Sequence, residues 1–207
     1  MSTIIDITHP LHPALAVWPG DTPYSHRWVM QMASGDGVNV STLTLSAHTG
    51  THADAPLHFI PNGAPIGTRS LAAYLGAAQV VDIPNTGPIH PAALSSLTIT
   101  APRLLLRTPS SQRSNTEWYD DIAYPTPATV DFLADQGVVL LGTDAPSVDP
   151  IHSKTLDAHH RLAHHNMAIL ENLALAYVEP GRYELIALPL ALPIDGSPVR
   201  AILRTLI

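Results

Sequence analysis

The chain has 207 residues, 45% of them hydrophobic and 13% charged, which is enough for one domain with its own core and leaves a sparsely charged surface. A formal charge of -7, with ten Lys and Arg and no basic cluster, argues against nucleic acid as a partner. Zero cysteines exclude disulfides and thiolate metal sites; no window reaches the roughly 18 apolar residues of a membrane span, and the first residues lack a basic signal region, so no membrane partner and a cytoplasmic location are expected.

Twenty prolines and twelve glycines divide the sequence into short pieces, which favours many strands over a helical bundle. In chain order, the apolar runs predict strands at Thr42 to Ala47 and Ala78 to Ile83, then a short helix from Pro91 to Leu97, whose proline suits a first turn. A strand at Arg103 to Thr108 leads into a polar surface excursion, Ser110 to Tyr124, of a kind that often borders a binding site. A helix follows from Thr126 to Gln136, stopping before Gly137, then a strand at Val138 to Thr143 and a helix from Thr155 to Ala163. Strands at Ala168 to Leu173 and Tyr183 to Leu190 complete the set, several of them apolar enough for burial on both faces. Neither a repeat nor a low-complexity linker interrupts the chain, so a single mixed α/β domain over residues 1-207 is expected.

Twelve histidines in a cysteine-free chain demand a reason. Four potential metal ligands sit in His48-Thr-Gly-Thr-His52-Ala-Asp54-Ala-Pro-Leu-His58, spaced four, two and four residues apart. Even spacings put all four on one side of an extended backbone, and the embedded Gly and Pro disfavour a helix. A lone histidine is more often a surface or hydrogen-bonding group than a ligand; the joint spacing is what points to a metal. Imidazole and carboxylate suit zinc or another borderline divalent cation, and three protein ligands leave a position open for water. A second group, His159, His160, His164, His165 and Glu171, crowds into one segment. On a continuous helix His160 and His164 would share a face with Glu171, but His165-Asn166 reads as a break, so spacing alone leaves the second histidine open.

The first motif resembles the His-x-Gly-Thr-His-x-Asp-x-Pro-x-His signature of the cyclase-like metal-dependent hydrolases, and is most similar to the kynurenine formamidase branch of that family. The resemblance continues through Val17-Trp-Pro-Gly-Asp-Thr-Pro23, Ser153-Lys-Thr-Leu-Asp-Ala-His-His160, Met167-Ala-Ile-Leu-Glu171 and Ser197-Pro-Val-Arg-Ala201. It implies a swivelling β/β/α fold, a mixed sheet rich in short strands, and a homodimer. It also implies two Zn(II) per subunit, with Mn, Co or Fe as possible substitutes: His48, His52 and Asp54 on one ion, Asp54 bridging to a second held by His159 and Glu171. His58 becomes the implied catalytic acid and base, and Trp18 the residue stacking on a small aromatic formamide substrate. Two departures touch no implied ligand: Ala55 and Asn172 stand where some members have glycine.

The activity so implied is hydrolysis of N-formyl-L-kynurenine to L-kynurenine and formate, a step of tryptophan degradation. Competing expectations are a sibling hydrolase opening isatin or another cyclic amide, and a non-catalytic metal-binding protein. The chain has no Gly-x-Ser-x-Gly elbow for a serine nucleophile and no glycine-rich phosphate loop. A metal store has no use for a titrating residue beyond its ligands, so His58 separates the last competitor from the enzymes.

Overall fold

In the computed structural model, which describes residues 2–206, the short apolar runs become strands wherever turn residues bound them. The strands are β1 (Ile4–Asp6), β2 (Ser25–Met30), β3 (Val40–Thr44), β4 (His52–Asp54), β5 (Leu75–Asp82), β6 (Gly87–Ile89), β7 (Arg103–Arg107), β8 (Ala123–Pro125), β9 (Leu140–Thr143), β10 (Ala168–Glu171), β11 (Gly181–Ile186), β12 (Gly196–Pro198) and β13 (Ile202–Thr205). Three helices join them: α1 (Pro91–Leu94), α2 (Pro127–Asp135) and α3 (Asp157–His164). Nine strands form one mixed sheet in the order β1-β13-β11-β5-β7-β9-β10-β4-β12, and β2–β3 and β6–β8 pair separately. The central run β5, β7, β9 and β10 is parallel, and antiparallel strands extend it on both sides. The result is the single mixed α/β domain expected, with short strands and few helices.

Parallel central strands need cover on both faces, and their sequences supply it by alternation. Leu105, Leu140 and Leu170 pack on one side with Ile7, Tyr74 and Leu185. Their neighbours Leu104, Leu106, Leu141 and Ile169 pack on the other with Val130 and Leu133 of α2 and Leu162 of α3. Each such leucine is at most 1% exposed, and burying one contributes about 1.5–3 kcal/mol. Helix α2 has the ends its sequence predicts: the Thr126 side chain accepts a hydrogen bond from the Thr129 amide, Pro127 fills the first turn, and Gly137 follows at φ +79.

The expected strand at Thr42 to Ala47 forms two residues earlier, as β3, and outside the main sheet. All residues of β2 and β3 are exposed, including Trp28, Val29 and Leu43. No helix among the described residues is long and apolar enough to cross a membrane.

Candidate metal centre and its cavity

Sheet register brings three of the expected ligands together. In the antiparallel pairing of β4 with β10, His52 lies opposite Glu171 and Asp54 opposite Ile169. Residues two apart on a strand share a face, so His52, Asp54 and Glu171 all point to the side that α3 covers, while Ala53 and Leu170 enter the opposite core. His159 reaches the same point from α3. Its ring Nε2 lies 3.2 Å from Asp54 Oδ2 and 3.6 Å from Glu171 Oε1. The helix turns this histidine inward to 3% exposure and leaves His160 and His164 exposed, so the inward-facing histidine of the second segment is His159. Leu156 precedes the helix in the left-handed region, at φ 48, a conformation costing roughly 1–2 kcal/mol for a side-chain-bearing residue.

The extended backbone expected from His48 to His58 is confined to β4. His48 sits in the turn before it, where Gly50 takes φ +66, and His58 ends a 3-10 turn, Pro56–His58, after it. The proline and glycine that disfavoured a helix also end the strand, and the two turns achieve the convergence instead. His48 Nδ1 approaches Asp54 Oδ1 to 2.9 Å, and His52 Nε2 lies 3.3 Å from Asp54 Oδ1 and 3.4 Å from Glu171 Oε2. His58 is half-exposed, its ring centre 4.1 Å from that of His48. Two triads emerge, His52–Asp54–Glu171 and His48–Asp54–His58, sharing Asp54.

Two further carboxylates orient the imidazoles, and nothing in the spacing of the sequence signals either. Asp149 accepts the His159 Nδ1 proton at 2.7 Å, and the amides of Ala158 and His159 as well, so it caps α3 and aims Nε2 into the site. Asp195 meets His48 Nε2 at 3.0 Å and lies 3.6 Å from His58 Nδ1. His52 Nδ1 faces the Gly50 carbonyl at 2.8 Å; a carbonyl only accepts, so Nδ1 carries a proton and Nε2 is the nitrogen turned toward the centre.

The chemistry of this donor set fits a cation. Burial opposes charge on His52, yet hydrogen bonds to Asp54 and Glu171 hold it protonated up to about 10. Burial likewise opposes charge on His159, and its bonds to Asp149 and Asp54 raise it to about 10. Asp54, despite its burial, is held well below the usual carboxylate range by His159, His48 and His52. Protons thus stand where the carboxylates call for positive charge. In chelated protein, a histidine raised above its ordinary 6.5 stabilises the fold fully below that pH, and the contribution fades as pH climbs to about 10. Asp54 works in the opposite sense and loses its contribution only in strong acid. Calorimetry on the metal-free protein is therefore expected to show stability falling from about pH 6.5 to 10; a flat profile there would mean that these imidazoles carry no proton.

Gly196 lies opposite Asp54 on β12 and makes room for His48. A Cβ there would stand 2.8 Å from His48 Cε1 and 3.2 Å from the Ala53 carbonyl oxygen. Gly196→Ala is expected to displace the imidazole and weaken metal binding about 10–100-fold, the range for loss of a ligand-orienting contact, as read by metal titration; unchanged affinity would remove His48 from the centre. Asn172, one of the two departures noted above, has φ 53, a region that glycine and asparagine share, so the substitution keeps the backbone path after Glu171.

The cluster opens into a cavity of about 320 Å³ whose outer wall includes Leu15, Trp18, Arg113, Trp118 and Tyr119. Trp18 is 41% exposed and meets Trp118 edge to face at 5.1 Å, so it belongs to the cavity wall and not to the core. The segment expected as a surface excursion, 110–124, supplies much of this wall.

Residues 5–150, more than half of the chain, match the model of the putative cyclase family, and the chain belongs to that family. Solved structures of similar proteins agree in fold over the full length. A potential metal-dependent hydrolase with cyclase activity shares 24% identity at a TM-score of 0.87, with 100% of both chains covered. A predicted metal-dependent hydrolase from Bacillus stearothermophilus shares 25% identity at 0.83, over 99% of this chain and 98% of that one. Isatin hydrolase A from Labrenzia aggregata, solved with benzyl benzoate, also shares 25% at 0.83, over 99% of this chain and 94% of that one.

Proposed function

We propose that the chain hydrolyses N-formyl-L-kynurenine to L-kynurenine and formate, with His48, His52, Asp54, His159 and Glu171 holding one or two divalent ions. Two Zn(II) per subunit is the proposed complement; Mn, Co or Fe would satisfy the same imidazole and carboxylate donors. The observation that carries the reading is the opening of a buried His–carboxylate cluster into an aromatic-walled cavity. Bound there, the metal supplies a Lewis acid that lowers the pKa of water to about 7 and polarises the formyl carbonyl. The protein does the rest. Trp18 and Trp118 offer faces to the substrate's aryl ring. His58, pushed below the ordinary histidine range by burial, is neutral near pH 7 and free to accept a proton from the attacking water. It returns that proton to the aniline nitrogen as the C–N bond breaks, since an arylamine departs badly as an anion.

The isatin hydrolase match supports a second reading, ring opening of a cyclic amide by the same residues. The test is to assay purified protein against N-formyl-L-kynurenine and isatin side by side, with metal content measured on the same sample. Faster turnover of the formamide is expected; turnover of isatin alone would overturn the first reading, and metal without turnover of either would leave a metal-binding protein.

The proposed assembly is a homodimer. An isolated two-stranded ribbon is marginal in water, yet the β2–β3 hairpin carries Trp28, Val29 and Leu43 about half exposed, a patch suited to burial against a second copy. Light scattering is expected to report twice the 22.1 kDa chain mass at micromolar concentration, and a monomer there would end the idea.

A further inference from the structure

The wall segment between β7 and β8 is pinned at both ends. Asp144, buried just after β9, accepts hydrogen bonds from the Thr108 amide at 2.7 Å, the Thr108 hydroxyl at 2.6 Å, the Ser111 amide at 3.1 Å and the Ser111 hydroxyl. Further along, the Ala16 amide donates to the Asn115 carbonyl at 2.9 Å and ties the segment to the stretch that carries Trp18. Between these anchors Arg113 stands on the cavity wall, its guanidinium carbon 5.3 Å from the centre of the Tyr119 ring. Among the described residues it is the one Lys or Arg lining the cavity, whereas Asp21, Glu117, Asp144 and Glu171 all line it. The histidines and the carboxylates of the metal centre line the floor of the cavity, so Arg113 is the one guanidinium or ammonium on its wall to which a substrate carboxylate can turn away from that centre. The present partner of Arg113 is weak: one contact of 3.4 Å to Asp121, with both side chains exposed. Such an exposed, single-contact pair is screened by solvent and yields readily to a carboxylate that the guanidinium can grip with two parallel bonds.

We infer that Arg113 reads a carboxylate on the substrate, so that the cavity selects an aromatic formamide bearing an acid group over one without it. The inference rests on the formamidase reading for its reaction but on Arg113 alone for its selectivity. The experiment compares metal-loaded wild type with Arg113→Gln and Arg113→Lys. The substrates are N-formyl-L-kynurenine and N-formyl-2-aminoacetophenone, which keeps the ring and formamide but lacks the amino acid. In Arg113→Gln, KM for formylkynurenine is expected to rise about 10- to 100-fold, as loss of a charge-assisted bidentate contact predicts. The preference over the acid-free substrate should fall by the same factor, and the lysine variant should recover part of it. Binding of L-kynurenine and of 2-aminoacetophenone, followed by tryptophan fluorescence, supplies a readout independent of turnover. If formylkynurenine is not hydrolysed but L-kynurenine binds in an Arg113-dependent way, the reaction assigned above falls and the inference stands. If Arg113→Gln leaves both the substrate preference and the L-kynurenine affinity unchanged, the inference falls whatever the reaction.

Discussion

Asp54→Asn is expected to abolish metal retention and turnover together. The Asp54 side chain is 1% exposed and touches three imidazoles: His48 at 2.9 Å, His52 at 3.3 Å and His159 at 3.2 Å. It is also the one residue common to both candidate ligand triads. An amide of the same shape keeps the strand register of β4 but removes the charge around which the others are arranged, and it turns an N–H pair toward nitrogens that should face a cation. Removing one partner from a buried charged network costs about 3–5 kcal/mol, because the remaining groups cannot be resolvated. Metal analysis per subunit and formate release on one sample decide the matter. An Asp54→Asn protein with full metal content would show that the ions, if bound, sit elsewhere.

What the sequence made legible follows from how local each signal is. The runs at Arg103, Val138 and Ala168 are apolar on both faces, bounded by Pro, Gly or Asn, and lie at the centre of the sheet, so composition and burial agree. Strands β1, β4, β12 and β13 have three or four residues each and exist because a neighbour offers a ladder, a property no short window contains. The centre divides in the same way. The spacing from His48 to His58 advertised convergence, although turns on either side of β4 produce it and a long strand does not. His159 came from resemblance and not from periodicity, since its selection depends on where α3 begins, which Leu156 and Asp149 determine from outside the helix. Asp195 gave no signal at all: a single acid in a Pro- and Gly-rich stretch, 147 residues from the His48 it contacts, becomes visible only when β12 pairs with β4. Ligands on one local segment can be read from a chain, whereas the groups that aim them come from distant loops and cannot.

His58→Ala is expected to leave metal content nearly unchanged while turnover falls about 10²- to 10⁴-fold, the usual contribution of a positioned acid–base group. The geometry gives the reason. His58 lies on a 3-10 turn beyond Pro56, its side chain 36% exposed on the cavity side, whereas His52, Asp54, His159 and Glu171 are each 5% exposed or less. Its Nδ1 is 3.6 Å from Asp195, which also meets His48 at 3.0 Å, so one carboxylate can steady the proton-transfer group beside the implied ligand. Burial keeps its imidazole below the ordinary histidine range, where it is basic enough to take a proton and too weakly basic to hold one permanently at neutral pH. The opposing possibility is concrete, because His58 also forms a triad with His48 and Asp54 that could itself grip an ion. Parallel metal analysis separates the two: a variant that loses one ion per subunit makes His58 a ligand, and a variant that keeps both metal and full rate shows that the proton travels without it.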